Sequence, residues 1–181
     1  MTSFARVASL LIGTVTALAG CGGATTPAVR WDSTERAHMN AEYPGCEFFE
    51  DQDAREAGYS CDLGTFRAYD LNAPEDHAAL ARRLAEAKAK EPFTAPLGEL
   101  TARDPIVWGD TTLAASIATY VPEAGTIIPP EIFLVASAET GGRQAYSCAV
   151  TFIAGLDTPE AIAARVASCV DGLHLLFDAS R

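Results

Sequence analysis

A pattern repeated around two Tyr-Ser-Cys triplets is the feature that most constrains how this chain can fold. Residues 59–79 read YSCDLGTFRAYDLNAPEDHAA, and residues 146–164 read YSCAVTFIAGLDTPEAIAA. When Gly64 and one loop residue are treated as insertions, the two segments share Tyr-Ser-Cys, then Thr-Phe, and later Pro-Glu and Ala-Ala. Self-similarity of this kind predicts an internal duplication.

Each copy has the pattern of a strand followed by a helix. In the second copy apolar residues alternate from Tyr146 to Ala154, as in a strand with one buried face. In the first copy Gly64 interrupts the alternation, and we interpret it as a bulge that returns the later residues to the inner face. Pro74 and Pro159 suit the first position of the helix after each strand, where an N–H would have no partner.

The predicted fold class is α+β, built from two internally duplicated helix-hairpin-helix units with two disulfides. A further strand precedes each Tyr-Ser-Cys strand, and a turn joins the two strands of each pair. The predicted first strands are residues 46–50 and 132–136, and the predicted turns are residues 53–57 and 139–143. Upstream, residues 33–42 have the pattern of a helix, whereas residues 111–120 fit a helix or a strand. Repeat 1 covers about residues 31–91, and repeat 2 covers about residues 108–177.

Four cysteines follow residue 30, and their even number predicts two disulfides in an oxidising compartment. Four cysteines can pair in three ways, and the repeat favours one of these disulfide connectivities. Cys46 and Cys61 lie on the two arms of the first predicted hairpin, where opposite residues come within bonding distance. Cys148 corresponds to Cys61 but stands opposite Phe133, so it is expected to bond Cys169 on the packed helix. The predicted bonds are therefore Cys46–Cys61 and Cys148–Cys169.

The first twenty residues have the layout of an export signal. Arg6 precedes an apolar stretch over residues 7–19, which is too short for a bilayer span of about 20 apolar residues. The stretch ends in Leu-Ala-Gly-Cys at residues 18–21. This motif resembles the lipobox of bacterial lipoproteins, which implies cleavage before Cys21 and acylation of its thiol and new amino terminus. The alternative is an ordinary cleaved signal with a chance cysteine.

The chain is thus expected to have three parts: a signal peptide over residues 1–20, a lipidated cysteine with a flexible tether over residues 21–30, and a duplicated domain over residues 31–181. The resemblance also implies a location, since an aspartate after the cysteine retains enterobacterial lipoproteins in the inner membrane. Gly22 stands there instead. The outer membrane, on its periplasmic or surface face, is therefore favoured over the inner membrane.

The charge of the chain excludes some classes of partner. The sequence has 13 basic and 24 acidic residues, and its first twenty residues hold one arginine and no acid, so the mature chain carries 12 basic and 24 acidic residues. Such acidity argues against nucleic acid binding, which needs a basic surface, and against electrostatic docking on anionic lipid. Membrane association should therefore come from the lipid anchor. An acidic surface suits a basic protein partner, although it also simply favours solubility.

The acidic residues concentrate around the first predicted hairpin, and we predict a partner contact there. The candidate contact residues are Glu47, Glu50, Asp51, Asp53 and Glu56. The acids at positions 51, 53 and 62 match positions one, three and twelve of a calcium-binding loop. Arg55 and Glu56, however, stand where a ligand and a turn glycine are needed, so no metal site is predicted.

We find none of the common catalytic or nucleotide-binding motifs in the sequence. The three histidines, His38, His77 and His174, lie far apart and have no metal-ligand spacing. His77 aligns with Ile162, so it is expected to border the core of its helix. No cofactor is predicted.

The sequence therefore favours a non-enzymatic, membrane-anchored envelope lipoprotein that binds another protein or has a structural role. An inhibitor of a basic extracellular enzyme is a more specific version of this hypothesis. The alternative is an enzyme or a small-ligand-binding lipoprotein whose site is assembled from residues scattered along the chain. A deep pocket with converging polar groups would favour the alternative, whereas a flat acidic surface would favour protein binding.

Overall fold

The computed structural model describes residues 45–61, 64–153 and 158–179. Cys21, the tether and the helix expected at residues 33–42 lie outside these residues. The described residues form seven strands and two helices. In chain order these are β1 Glu47–Asp51, β2 Glu56–Cys61, β3 Gly64–Glu75, α1 His77–Lys88, β4 Leu97–Trp108, β5 Thr111–Tyr120, β6 Glu131–Ser137, β7 Gly142–Thr151 and α2 Pro159–Ala179.

All seven strands belong to one antiparallel sheet, in the order β1-β2-β3-β7-β6-β5-β4. The strands β1 to β3 form one meander and β4 to β6 form another. The last strand in the chain, β7, lies between them and pairs with β3 on one side and β6 on the other. The sheet is therefore complete only when β7 is in place.

The two helices cover opposite faces and opposite halves of the sheet. Helix α2 packs on β3 and β7, and helix α1 packs on β4, β5 and β6. The sheet has a hydrophobic core on each face, and alternate side chains of β7 contribute to both. Tyr146 and Cys148 face α2, whereas Ala145 and Ala149 face α1. Neither described helix combines the length and the apolarity that a membrane crossing requires.

The local sequence explains both helices. In α1 the buried side chains are His77, Leu80, Ala81, Leu84 and Ala85, which form one stripe at helical spacing. Helix α2 begins at Pro159 as predicted, and the Thr158 hydroxyl accepts the N–H of Ala161 at 3.2 Å, which caps the first turn. Helix α1, in contrast, does not begin at Pro74, since β3 continues to Glu75.

The prediction of two duplicated helix-hairpin-helix units is wrong. The first Tyr-Ser-Cys segment ends β2 at Cys61, which pairs directly with Gly64, so the chain has reversed and β3 is a separate strand. The second segment forms the single strand β7, which leads on to α2. The fold is mostly β, with one seven-stranded sheet. Gly64 is not a bulge: a Cβ there would lie 2.4 Å from the carbonyl oxygen of Ala149, so close strand approach favours glycine.

Other parts of the prediction are confirmed. The strands expected at residues 46–50 and 132–136 are β1 and β6, and residues 111–120 form a strand, β5. Two disulfides form with the expected pairing. Cys46–Cys61 ties the chain just before β1 to the end of β2, and Cys148–Cys169 ties β7 to α2.

Candidate functional site

The two ends of the sheet differ in chemistry. At one end of the sheet, strands β3, β4 and β6 begin and strands β2, β5 and β7 finish. The described chain also starts there, at Gly45. We call this the proximal end. The opposite, distal end holds the turns at residues 52–55, 109–110 and 138–141, the start of α1 and the last turn of α2.

The distal end is acidic. Its exposed acidic side chains are Asp51, Asp53, Asp76, Asp110, Glu139 and Asp178. Among nearby basic side chains, Arg143 is exposed, Arg83 is paired with Glu75 at the end of β3, and Arg55 is half-buried and paired with Asp70. Carboxylates from three turns and two helix ends therefore lie at the same end of the sheet. Such a surface attracts basic groups and repels acidic ones.

Hydrogen bonds fix part of this acidic surface in place. The Asp51 carboxylate accepts the N–H of Asp53 at 3.0 Å and of Ala54 at 2.9 Å, which holds the β1–β2 turn. The Asp76 carboxylate accepts the N–H of Gly141 at 3.0 Å. The last bond connects the start of α1 to the β6–β7 turn. The β1–β2 turn and the junction of α1 with the β6–β7 turn are thus each held in place, so Asp51 and Asp76 have fixed positions before a partner binds.

The structure does not bring the five predicted contact residues together. Asp51 and Asp53 lie at the distal end, but Glu47 lies at the proximal start of β1 and Glu50 is half-buried within that strand. Glu56 points into a groove beside α1, where its carboxylate lies 3.5 Å from the Arg67 guanidinium. Sequence reasoning missed two acids in other turns and two at helix ends, because they are far apart along the chain. The turn positions of Asp110 and Glu139 were a usable signal.

The groove beside α1 holds a network of paired charges. Arg67 lies between Glu56, at 3.5 Å, and Glu91, at 3.7 Å, and Lys88 lies between Glu91, at 2.8 Å, and Glu131, at 3.3 Å. Burial raises the pKa of Glu56 and of Glu131, and the neighbouring cations Arg67 and Lys88 oppose these shifts. The cavity here measures about 210 Å³. Its charged groups already satisfy one another.

A second, wider groove lies on the other face, between β4 and α2. It encloses about 540 Å³ and its floor includes Ile106, Trp108 and Val170. The His174 ring stacks on Trp108 with ring centroids 5.2 Å apart, and Arg103 stands at the rim. Asp104 and Asp171 also line the groove, which is widely open to solvent. An apolar floor beside polar groups is one feature that it shares with small-molecule sites.

His77 is buried at the start of α1, as the sequence predicted. Its Nδ1 lies 2.9 Å from the Ser137 hydroxyl and its Nε2 lies 2.9 Å from the Ser116 hydroxyl. Burial lowers the pKa of His77 from 6.5, with a smaller opposing effect of Glu139. The ring is therefore neutral near pH 7, and its two nitrogens serve one donating and one accepting bond. This geometry links α1 to β5 and β6.

Within the described residues, no group of three or more histidine, cysteine, aspartate or glutamate side chains is placed to hold a metal ion. Comparison with known proteins yields no match to a family model, a curated protein or a solved structure. The distal acidic surface and the β4–α2 groove are the two features from which a function can be proposed.

Proposed function

We propose that this chain is a lipid-anchored protein of a bacterial cell envelope that acts without catalysis, by binding a basic protein partner through its distal end. Export is supported by the cysteines. All four cysteines of the described domain form disulfides, which persist in oxidising compartments. The fifth cysteine of the sequence is Cys21, which ends the lipobox-like motif. The glycine at position 22 favours the outer membrane.

Protein binding is supported chiefly by the concentration of exposed acids at the distal end. The described residues begin at the opposite end, so an anchored domain can present the distal end away from the membrane. Long-range attraction between opposite charges speeds the encounter with a basic partner and decreases with salt. A basic extracellular enzyme is one partner that fits this chemistry.

The test compares two charge-reversal variants with the parent chain as baits for envelope proteins. The distal variant carries Asp53→Arg, Asp110→Arg and Glu139→Arg, and the control variant carries Glu86→Arg, Glu99→Arg and Glu123→Arg. All six side chains are exposed, and both variants change the net charge equally. Each oxidised bait, residues 22–181, is crosslinked in envelope extract at low and at high salt.

The parent and the control variant should capture the same basic protein at low salt, and the distal variant should not. Exposed ion pairs contribute up to about 1 kcal/mol each, so three reversals should weaken binding roughly tenfold or more. High salt should also reduce capture. Equal capture by both variants would contradict the distal contact. The lack of any stoichiometric partner would contradict protein binding.

The β4–α2 groove supports a second candidate function, the binding of a small, partly apolar molecule. The observation behind it is the apolar floor with the Trp108–His174 stack and a volume of about 540 Å³. If no protein partner is captured, this function becomes the favoured one. Trp108 lines the groove, so its fluorescence would then report ligand binding directly.

A further inference from the structure

The proximal end carries an unusual amount of exposed apolar surface. Five large hydrophobic side chains are exposed in the described residues, and four of them lie at this end. They are Phe93 (87 % exposed), Val121 (61 %), Ile127 (98 %) and Ile153 (62 %). The fifth, Val107, lies on the edge strand β4 near the distal end. Exposed apolar groups gathered at one place mark a contact with a protein or a membrane.

The topology explains why these four residues share one end. Phe93 follows the C-terminus of α1, whose Lys88 contacts Glu131 at the start of β6. Val121 directly follows β5, and its N–H bonds to the Pro96 carbonyl just before β4. Ile127 lies in the loop that joins β5 to β6. Ile153 follows β7, where the neighbouring Phe152 N–H bonds to the Pro130 carbonyl.

The backbone presents Phe93 in an uncommon conformation. Its φ is 63°, in the left-handed region that bulky residues rarely adopt. A phenyl ring that is 87 % exposed gains little from packing within the domain. Residues held in such conformations cluster at functional sites. Both observations fit a ring that contacts something outside the domain.

The covalent path to the proposed lipid anchor begins at the same end. The described chain starts at Gly45, and the Cys46–Cys61 disulfide fixes that starting point beside the ends of β2 and β3. Twenty-four residue steps separate Gly45 from Cys21, which even fully extended cover no more than about 85 Å. A lipid at Cys21 therefore keeps the domain close to the bilayer, and the exposed apolar side chains select the proximal end as the contact.

We propose that the proximal end contacts the lipid bilayer itself, with Phe93 and Ile127 inserted at the headgroup–acyl boundary. This inference rests on the proposed lipid anchor. The contact is apolar in origin, because the exposed charges at this end are mostly acidic and do not attract anionic lipid; they are Glu47, Lys90, Glu99, Glu123 and Glu160. Lys88, Glu91 and Glu131 pair with one another at this end, which reduces the cost of bringing their charges near the interface. The anchor and the inserted side chains together make two membrane signals, and two signals hold a protein more firmly than one.

The test uses the full, lipidated chain reconstituted into vesicles of phosphatidylethanolamine and phosphatidylglycerol, with or without bromine on the acyl chains. Ile127→Trp places a fluorescent reporter at the proximal end, and Thr140→Trp places a matched, exposed reporter at the distal end. Phe93→Trp is a second proximal reporter. Each signal is read as the difference from the parent chain, which carries Trp31 and Trp108. Mass spectrometry first measures acylation of Cys21.

Brominated lipid should quench the reporters at 127 and 93 roughly twofold or more, since inserted side chains reach about 5–10 Å into the interface. The reporter at 140 should keep its fluorescence. Acylated chains with equal quenching at both ends would overturn the membrane contact and leave the lipid anchor standing. A crosslinked dimer that forms through the proximal end, without quenching by brominated lipid, would also overturn the membrane contact. Absence of acylation would overturn the anchor, and the membrane contact with it.

Discussion

At the scale of single residues, His77 connects three elements through one ring. It begins α1, and its two nitrogens bond to Ser116 of β5 and Ser137 of β6. Its backbone N–H also bonds to the Glu139 carbonyl in the β6–β7 turn. The three side chains form a buried polar network, and the Ser137 hydroxyl also donates to the Ala138 carbonyl at 3.2 Å. Removing the ring leaves two buried hydroxyls without their partner.

We expect His77→Ala to lower the free energy of unfolding by about 2–4 kcal/mol, because two hydrogen bonds are lost and a cavity forms. Urea denaturation of the variant and the parent at pH 7.5 measures this difference. The reference substitution is Ala78→Ser, at the neighbouring exposed position of α1. It should change stability by no more than about 0.5 kcal/mol.

The same residue predicts a dependence on pH. Burial lowers the folded-state pKa of His77 below 6.5, so the unfolded chain binds its proton first as the pH falls. The parent should therefore lose the stabilisation that the neutral His77 ring provides as the pH falls from 6.5 to the lower folded-state pKa. Above pH 6.5 this stabilisation should be fully present. The stability difference between parent and His77→Ala should therefore shrink at pH 5. A difference that stays constant from pH 7.5 to pH 5 would contradict the neutral buried ring.

At the scale of elements, a glycine sets how closely α2 approaches the sheet. A Cβ added to Gly172 would lie 2.4 Å from the Cε1 atom and 2.7 Å from the Cδ1 atom of Phe66 on β3. The Phe66 ring is itself buried, so it has little room to move. Glycine is therefore favoured in the middle of this helix by packing, despite its low helix propensity.

Gly172→Ala should destabilise the protein by up to about 2 kcal/mol, because overpacking costs about 1–3 kcal/mol and alanine regains about 1 kcal/mol of helix propensity. Phe66→Leu in the same chain should relieve the clash. The double variant should thus be more stable than the sum of the single variants predicts, in a denaturation cycle. Ser168→Ala, at an exposed position of α2, is the control. Strict additivity would show that the ring and the helix do not compete for space.

Local sequence patterns predicted several strands and helices correctly, but they predicted the pairing of the strands wrongly. The alternating residues of β7 and the helix beginning at Pro159 follow from neighbouring residues alone, so both were predicted. Strand β4 is mostly exposed at the sheet edge and lacks alternation, so nothing in its sequence marked it. The two Tyr-Ser-Cys segments do occupy similar environments, since both strands flank β3 and bury Tyr59 and Tyr146 on one face. Which strand pairs with which depends on contacts between distant residues, which the pattern does not contain.

The candidate site shows the same limit. The sequence indicated an acidic contact around the first hairpin, and Asp51 and Asp53 do belong to the acidic distal end. The remaining acids of that surface come from other turns, such as Asp110 and Glu139. Turns from the two meanders lie at the same end of one sheet only because β7 joins the meanders. Charge composition predicted the sign of the surface, while topology determines its location.

At the scale of the whole molecule, β7 connects the two halves of the sheet. Its pairing with β3 brings together residues far apart in the chain, such as Tyr69 and Ser147, whose hydroxyls lie 3.0 Å apart. Without β7, each three-stranded meander loses a neighbouring strand and the core side chains that β7 contributes, such as Tyr146 and Ala149. The disulfide to α2 is lost with it.

A chain that ends at residue 141 should therefore fail to fold, although it keeps six of the seven strands. We expect no cooperative thermal transition by circular dichroism, whereas the full chain under the same oxidising conditions should give one. Adding the separate segment 142–181 should restore part of the signal. A cooperative transition in the truncated chain alone would show that one meander folds independently.

The central position of the last strand also bears on when the domain can close. The segment that completes the sheet lies within the final forty residues, so most of the chain is synthesised before the strand that joins the two meanders exists. If the chain is exported as proposed, this delay would keep it extended enough to cross the inner membrane. The two disulfides would then form in the oxidising compartment beyond that membrane.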